Sequence, residues 1–215
     1  MDQPTNYFKS ITYILAALAG AGLIIYGAFF YTKPKSANQQ AKILPENNSS
    51  IETSFQEPFL GESNAPVTMI EYGSYLCGHC IDFSLNTFPK IEKEYIKTGK
   101  IKFIYRSFPP IELSMALMCA NEQNKFWEYH NRAISSSIAK EDDLKLFASA
   151  IGLDTTKFNE CLDSQKYQPT AEKIIKEGQD AGVEGTPTFF INGQKLVGAL
   201  PYEDFQKAID KELNK

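Results

Sequence analysis

Cys77 and Cys80, separated by Gly78 and His79, are the residues of this 215-residue chain whose types and spacing speak most directly of chemistry. Two thiols so placed can ligate a metal, anchor a haem, close a structural ring, or pass electrons as a dithiol and its disulfide. Structural zinc needs a second ligand pair, and the two remaining cysteines, Cys119 and Cys161, lie far apart and belong to no Cys-x-x-Cys or His-x-x-x-His unit. Covalent haem attachment needs a histidine directly after the second cysteine, where Ile81 stands. No metal is therefore expected. A structural and a redox-active Cys77–Cys80 pair stay open on spacing alone.

The elements around the pair narrow that choice. Val67 to Tyr72 is a nearly continuous apolar run, the pattern of a strand covered on both faces, and Glu71 is its one charged member. Helical spacing follows from Cys77 to about Lys97, with Pro89 expected to kink or interrupt it. Ile101 to Tyr105 reads as a second strand, so the β-α-β order predicts a parallel pair. From Pro110 to Gly182 the pattern is helical over 111–123, 126–137, 141–151, 155–162 and 171–181, separated by turn or capping residues such as Asn124, Gly152 and Pro169. Strands return at 188–191 and 195–197 around Asn192-Gly193, a strong two-residue hairpin signal. Pro201 then opens a last amphipathic helix with Phe205, Ile209 and Leu213 on one face.

With 43% hydrophobic and 13% aromatic residues the chain has the composition of a globular protein, and a net charge of −4 offers no basic field for nucleic acid. Ser10 to Thr32 carries no charge, and residues 11–31 would form a helix of about 32 Å, enough to cross a bilayer core. A cleavable signal competes at Ala17-Leu18-Ala19, but the apolar run continues well beyond it. The expected organisation is a tail at 1–10, a transmembrane anchor at 11–31, a polar flexible tether at 32–57 and a folded domain at 58–215. Lys9 against Lys33, Lys35 and Lys42 leans toward the opposite orientation, yet large domains cross a membrane largely regardless of charge. The domain is expected on the extracytoplasmic side of the cell membrane.

Taken together, Glu71, Cys77-Gly78-His79-Cys80, Tyr105 to Pro109, Cys119-Ala120, Lys125 to His130 and Gly185 to Gly193 resemble the DsbA-type thiol-disulfide oxidoreductases. The resemblance runs from about Phe55 to Lys215. It implies an α/β thioredoxin fold, β-α-β then β-β-α, with a helical insertion at about 110–182. It also implies that Glu71 is a buried acid beneath the dithiol, exchanging a proton with Cys80, and that Pro187 is held cis opposite Cys77. The Thr186 backbone would then pair with an extended substrate, with Gly78 beside it. Asn124 stands at a turn position often taken by glycine, and Gly78 replaces the frequent proline of the dipeptide, which would make the couple less oxidising.

Within that frame Cys77 at a helix start faces unpaired N–H groups that favour thiolate, so it is the nucleophile and Cys80 the resolving thiol. His79 can add a donor or partial positive charge. Cys119 and Cys161 read either as buried free thiols or as a second, structural disulfide between two insertion helices. Phe126, Trp127 and Tyr129 read as core, and His130 as a satisfied helix histidine. No cofactor beyond the Cys77–Cys80 disulfide is implied. The expected partners are reduced, unfolded exported proteins and a quinone-linked membrane thiol oxidase. Reduction or isomerisation on the same fold, and client binding without catalysis, are the competing functions.

Overall fold

The structure, a computed structural model, describes residues 57–136 and 143–215. The tail, the anchor and all of the expected tether but Glu57 lie outside the described residues. Among the described residues no helix is long and apolar enough to cross a membrane.

Five strands form one sheet in the order β1-β3-β2-β4-β5, with β1 at Phe59–Leu60, β2 at Val67–Gly73, β3 at Ile101–Ser107, β4 at Thr188–Ile191 and β5 at Gln194–Val197. β2 and β3 are parallel, while β4 runs antiparallel to β2 and β5 to β4. β1 has two residues, too few to leave a periodic signal, and pairs antiparallel with β3. Alternation along β2 explains its apolar continuity. Val67 and Met69 enter one core cluster with Phe83 and Phe189, whereas Ile70 and Tyr72 enter a second with Ile174 and Phe190. Glu71 shares the parity of Val67 and Met69 and so points toward the first cluster. Asn192 and Gly193, with φ of 45° and 85°, make the hairpin turn between β4 and β5.

The first helix, α1, is continuous through Pro89. It alternates α-helical turns at Gly78–Asp82 and Phe88–Ile91 with π-helical turns at Phe83–Thr87 and Glu92–Ile96. A kink or an interruption is expected there because proline cannot donate to the preceding turn and its ring crowds a carbonyl, and the α-helical ladder does give way to a π turn just before it. The wider π turn, closed by the Phe88 N–H on Phe83 O, opens that stretch of ladder and lets the helix run on. Pro169 stands at the start of its helix, in the first turn, where a missing N–H has no partner to lose.

The insertion comprises α2 (Ile111–Asn121), α3 (Phe126–Ser135), α4 (Asp143–Ala150), α5 (Thr155–Asp163) and α6 (Gln168–Asp180), and α7 (Tyr202–Leu213) ends the fold. Asn124 adopts φ 58°, the left-handed turn that asparagine tolerates. Cys119 of α2 and Cys161 of α5 are joined as a disulfide with Cα atoms 5.8 Å apart. The bond closes a loop of 42 residues. Cys119→Ala with Cys161→Ala is expected to lower folding stability by about 2–4 kcal/mol, read by urea denaturation of the reduced double variant against wild type. A change under about 0.5 kcal/mol would mean that the helices hold each other without it.

Glu57, read from sequence as the end of the tether, belongs to the fold. It is buried, and Arg106 donates to both its carboxylate oxygens, Nε at 2.8 Å and Nη2 at 2.9 Å. Arg106 Nη1 also donates to Tyr72 Oη and Glu177 Oε2. A polar residue beside a polar linker carries no sign of a buried partner far along the chain.

Candidate active site

The dithiol lies where β2 gives way to α1. Cys77 takes the N-cap position with extended backbone, and its carbonyl accepts the first helical bonds from the Cys80 and Ile81 N–H groups. Its sulfur is half-buried, whereas Cys80, one turn inward, has no exposure. Both are free thiols in this structure. Ser74 N–H donates to Cys80 Sγ at 3.4 Å, and the Ser74 hydroxyl meets Pro109 O at 3.3 Å.

Opposite Cys77 the Thr186–Pro187 peptide is cis. The Cys77 thiol donates to Thr186 O at 3.2 Å, which ties the N-cap to the proline loop across 109 positions of sequence. Thr188 Oγ1 on Gly185 O and Gly198 N–H on Pro187 O hold that loop from behind. Gly78 is exposed, and a Cβ there would meet nothing within 4 Å, so the dithiol is open to solvent on that side. A second cis bond, Pro109–Pro110, sits after β3. The Phe108 N–H bond to Gly73 O brings its loop beside the end of β2.

The two sulfurs are pushed in opposite directions. Partial burial works against the Cys77 thiolate, but hydrogen bonds from the Thr186 side chain, the Cys80 backbone and thiol, and the His79 backbone outweigh it. The Cys77 pKa therefore falls below the ordinary cysteine value. His79 takes part through its N–H, and its residue is solvent-exposed. Burial, then the charge of Glu71, pushes the Cys80 thiol well above the usual range. Glu71 is 2% exposed between β3 and β4, and burial followed by the Cys77 charge raises its pKa to about 8. The site thus sets a thiolate-prone sulfur outside, a proton-holding sulfur inside, and a carboxyl that keeps its proton at neutral pH beneath them.

Three aromatic residues to which the sequence assigned no role at the dithiol floor the site. Tyr75, two positions before Cys77, has its hydroxyl 2.8 Å from His130 Nδ1 of α3. Tyr105 of β3 packs against both, with ring centroids 5.5 Å from Tyr75 and 4.3 Å from His130. Burial lowers the His130 pKa to about 3, so its ring is neutral. Tyr75 could have been suspected from its nearness to the dithiol, but His130 is brought there only by the insertion. Cys119 and Cys161 stand apart from the dithiol, in α2 and α5.

A family model described as thioredoxin matches residues 53–211. The chain is 28% identical over 173 residues to disulfide bond formation protein D of Bacillus subtilis, covering 73% of this chain and 77% of that protein. It is 26% identical over 220 residues to the probable disulfide bond formation protein D of Bacillus anthracis, covering 95% of each. Among solved structures, alpha-DsbA1 of Wolbachia pipientis matches with a TM-score of 0.68 at 28% identity, over 77% of this chain and 96% of that one. Oxidised BdbD of Bacillus subtilis matches with a TM-score of 0.69 at 25% identity, over 74% and 94%. Because the match over 53–211 takes in the sheet, the insertion and the dithiol, this chain belongs to the thioredoxin family, in which it is a DsbA-like protein thiol-disulfide oxidoreductase.

Proposed function

We propose that this protein is a dithiol oxidase, held at the membrane by residues 11–31, that donates its Cys77–Cys80 disulfide to reduced cysteines of exported polypeptides. The observation that carries the direction is the contrast between the two sulfurs: the accessible one favours its thiolate, and the buried one keeps its proton. A stabilised Cys77 thiolate favours the reduced enzyme, which makes the oxidised enzyme the stronger oxidant. Each unit of lowered pKa is worth about 1.4 kcal/mol, or about 30 mV in a two-electron couple. Relatives named for disulfide bond formation agree with this direction.

A client thiolate attacks Cys77 Sγ, and the electron pair of the broken Cys77–Cys80 bond passes to Cys80 Sγ. Glu71 supplies the proton that the departing Cys80 takes up. An extended client segment pairs with the Thr186 backbone, an alignment that demands no particular side chains. The second client thiolate attacks the client sulfur of the mixed disulfide, and Cys77 leaves as thiolate. The client loses two electrons and gains a disulfide; the enzyme holds them as a dithiol until a quinone-linked membrane thiol oxidase removes them. The catalytic domain works on the extracytoplasmic side, where such clients emerge.

Equilibration of the Cys77–Cys80 couple with a glutathione series is the test. A potential well above about −270 mV, the value of thioredoxin, and toward about −120 mV is expected. A value at or below thioredoxin's would make the enzyme a reductase.

A further inference from the structure

Two buried polar side-chain atoms beside the dithiol have no hydrogen-bond partner: Glu71 Oε1 and Tyr105 Oη. They converge on one place. Glu71 and Tyr105 are direct partners in the β2–β3 register, and both oxygens crowd Gly73. A Cβ on Gly73 would stand 2.8 Å from Glu71 Oε1 and 3.2 Å from Tyr105 Oη. Leaving a buried polar atom unpaired costs roughly 1–3 kcal/mol, so two orphans meeting at a reactive centre call for a function. The tyrosine ring has little freedom, since Tyr75 and His130 pack on it and are hydrogen-bonded to each other.

We propose that Tyr105 is a positioning residue for proton transfer at the dithiol, its hydroxyl donating to the Glu71 carboxylate that forms when Glu71 protonates the departing Cys80. In the uncharged ground state the hydroxyl faces Tyr75 and makes no bond to Glu71; the charge that it serves exists only after the proton has moved, which is when a nearby donor contributes most. Lysine could meet the same carboxylate, but would bring a permanent charge into this pocket; a tyrosine supplies a donor and leaves Glu71 free to hold its proton. His130 and Tyr75 serve by fixing the ring. The proposal rests on the reading of the site as a dithiol oxidoreductase.

The titratable groups facing Glu71 are Cys77 and Cys80 from α1, Tyr75 from the preceding loop and Tyr105 from β3, while β4 opposes it with Phe189. His130 of α3 lies behind Tyr105 and is neutral. The test uses full-length oxidised protein with glutathione as the attacking thiol. Glutathione thiolate forms a bond to Cys77 Sγ, the Cys77–Cys80 bond breaks, and the proton on Glu71 moves to Cys80. The rate of mixed-disulfide formation, divided by the thiolate concentration, is expected to fall as pH rises through the Glu71 midpoint, which burial holds above the ordinary carboxyl range.

In Tyr105→Phe the carboxylate loses its donor, the charged form is disfavoured, and the midpoint moves up by about one pH unit, with a several-fold lower plateau below it. In a Glu71→Gln background the midpoint is absent and Tyr105→Phe changes the rate no further. Incorporating 3-fluorotyrosine at position 105 alone keeps the ring and sharpens its donor, so it moves the midpoint down; that arm stands even where the phenylalanine variant folds poorly. An unchanged midpoint in both variants, or an equal loss of rate with and without Glu71, overturns the proposal. Wild-type oxidised protein that forms no glutathione adduct on Cys77 overturns the reading of the site, and the proposal with it.

Discussion

Cys77→Ser is expected to reduce oxidation of a dithiol peptide to the uncatalysed background, while Cys80→Ala leaves a protein that is captured as a long-lived mixed disulfide with a disulfide-bonded peptide. Serine at the N-cap keeps the hydrogen-bonding geometry but neither ionises near neutral pH nor forms a bond to sulfur. In Cys80→Ala the thiolate-prone sulfur remains at its position beside Thr186 O, and the thiol that would resolve the adduct is gone. The inequality of the two sulfurs is measurable in the reduced wild type as well. Each unit of pKa difference changes the thiolate fraction tenfold, and burial of Cys80 adds a steric barrier, so Cys77 should react with iodoacetamide at least about a hundredfold faster at pH 7. Peptide mass spectrometry of the alkylated protein gives the ratio. Comparable modification of both cysteines would mean that the helix start does not separate them, and the proposed division of labour would fall.

Arg106→Ala is expected to cost about 3–5 kcal/mol of folding stability without touching the dithiol. Arg106 is 2% exposed, and its guanidinium binds Glu57 through two parallel bonds while reaching Tyr72 and Glu177. Removing it leaves Glu57, itself 9% exposed, as a buried carboxylate without the guanidinium that binds both its oxygens. The loss is a large part of the roughly 5–15 kcal/mol that holds a domain of this size together. Arg106→Lys should recover only part of it, because one ammonium cannot match the paired geometry. Urea melts of the variants, with peptide oxidation measured at low temperature on the folded fraction, separate this effect from catalysis. A loss below about 1 kcal/mol would place Glu57 in water. In Glu57→Leu with Arg106→Met, where neither charge is left unpaired, much of the stability should return.

Local signals were strong where local physics decides. The Val67 to Tyr72 run, the Asn192-Gly193 turn and the Cys77-x-x-Cys80 spacing each report backbone conformation or pairing within a few residues, and the structure has a strand, a hairpin and a helix start there. Pro89 shows the limit of that reasoning. Its effect depended on whether the surrounding helix could widen, and packing of Phe83, Phe88 and Ile91 under the sheet made continuation the better arrangement. Glu57 shows the same limit for a charge, since a carboxylate beside a polar linker reads as solvated until an arginine 49 positions away is folded against it.

What the sequence determined by itself is the identity of the reactive groups: a dithiol at a helix start, a carboxyl in a strand with two apolar faces, and a proline before a hairpin. Their ionisation was left to the tertiary structure. Proton affinity in a protein interior depends on how much water is excluded and on which dipoles point inward, and both come from segments distant in sequence. Thr186 reaches Cys77 from 109 positions away, and Tyr105 meets Glu71 only because β3 lies parallel beside β2. His130 arrives from the insertion to hold the aromatic floor. A thiol, an acid and a phenol could be named in advance, but whether each holds or yields its proton is a property of the folded packing around it.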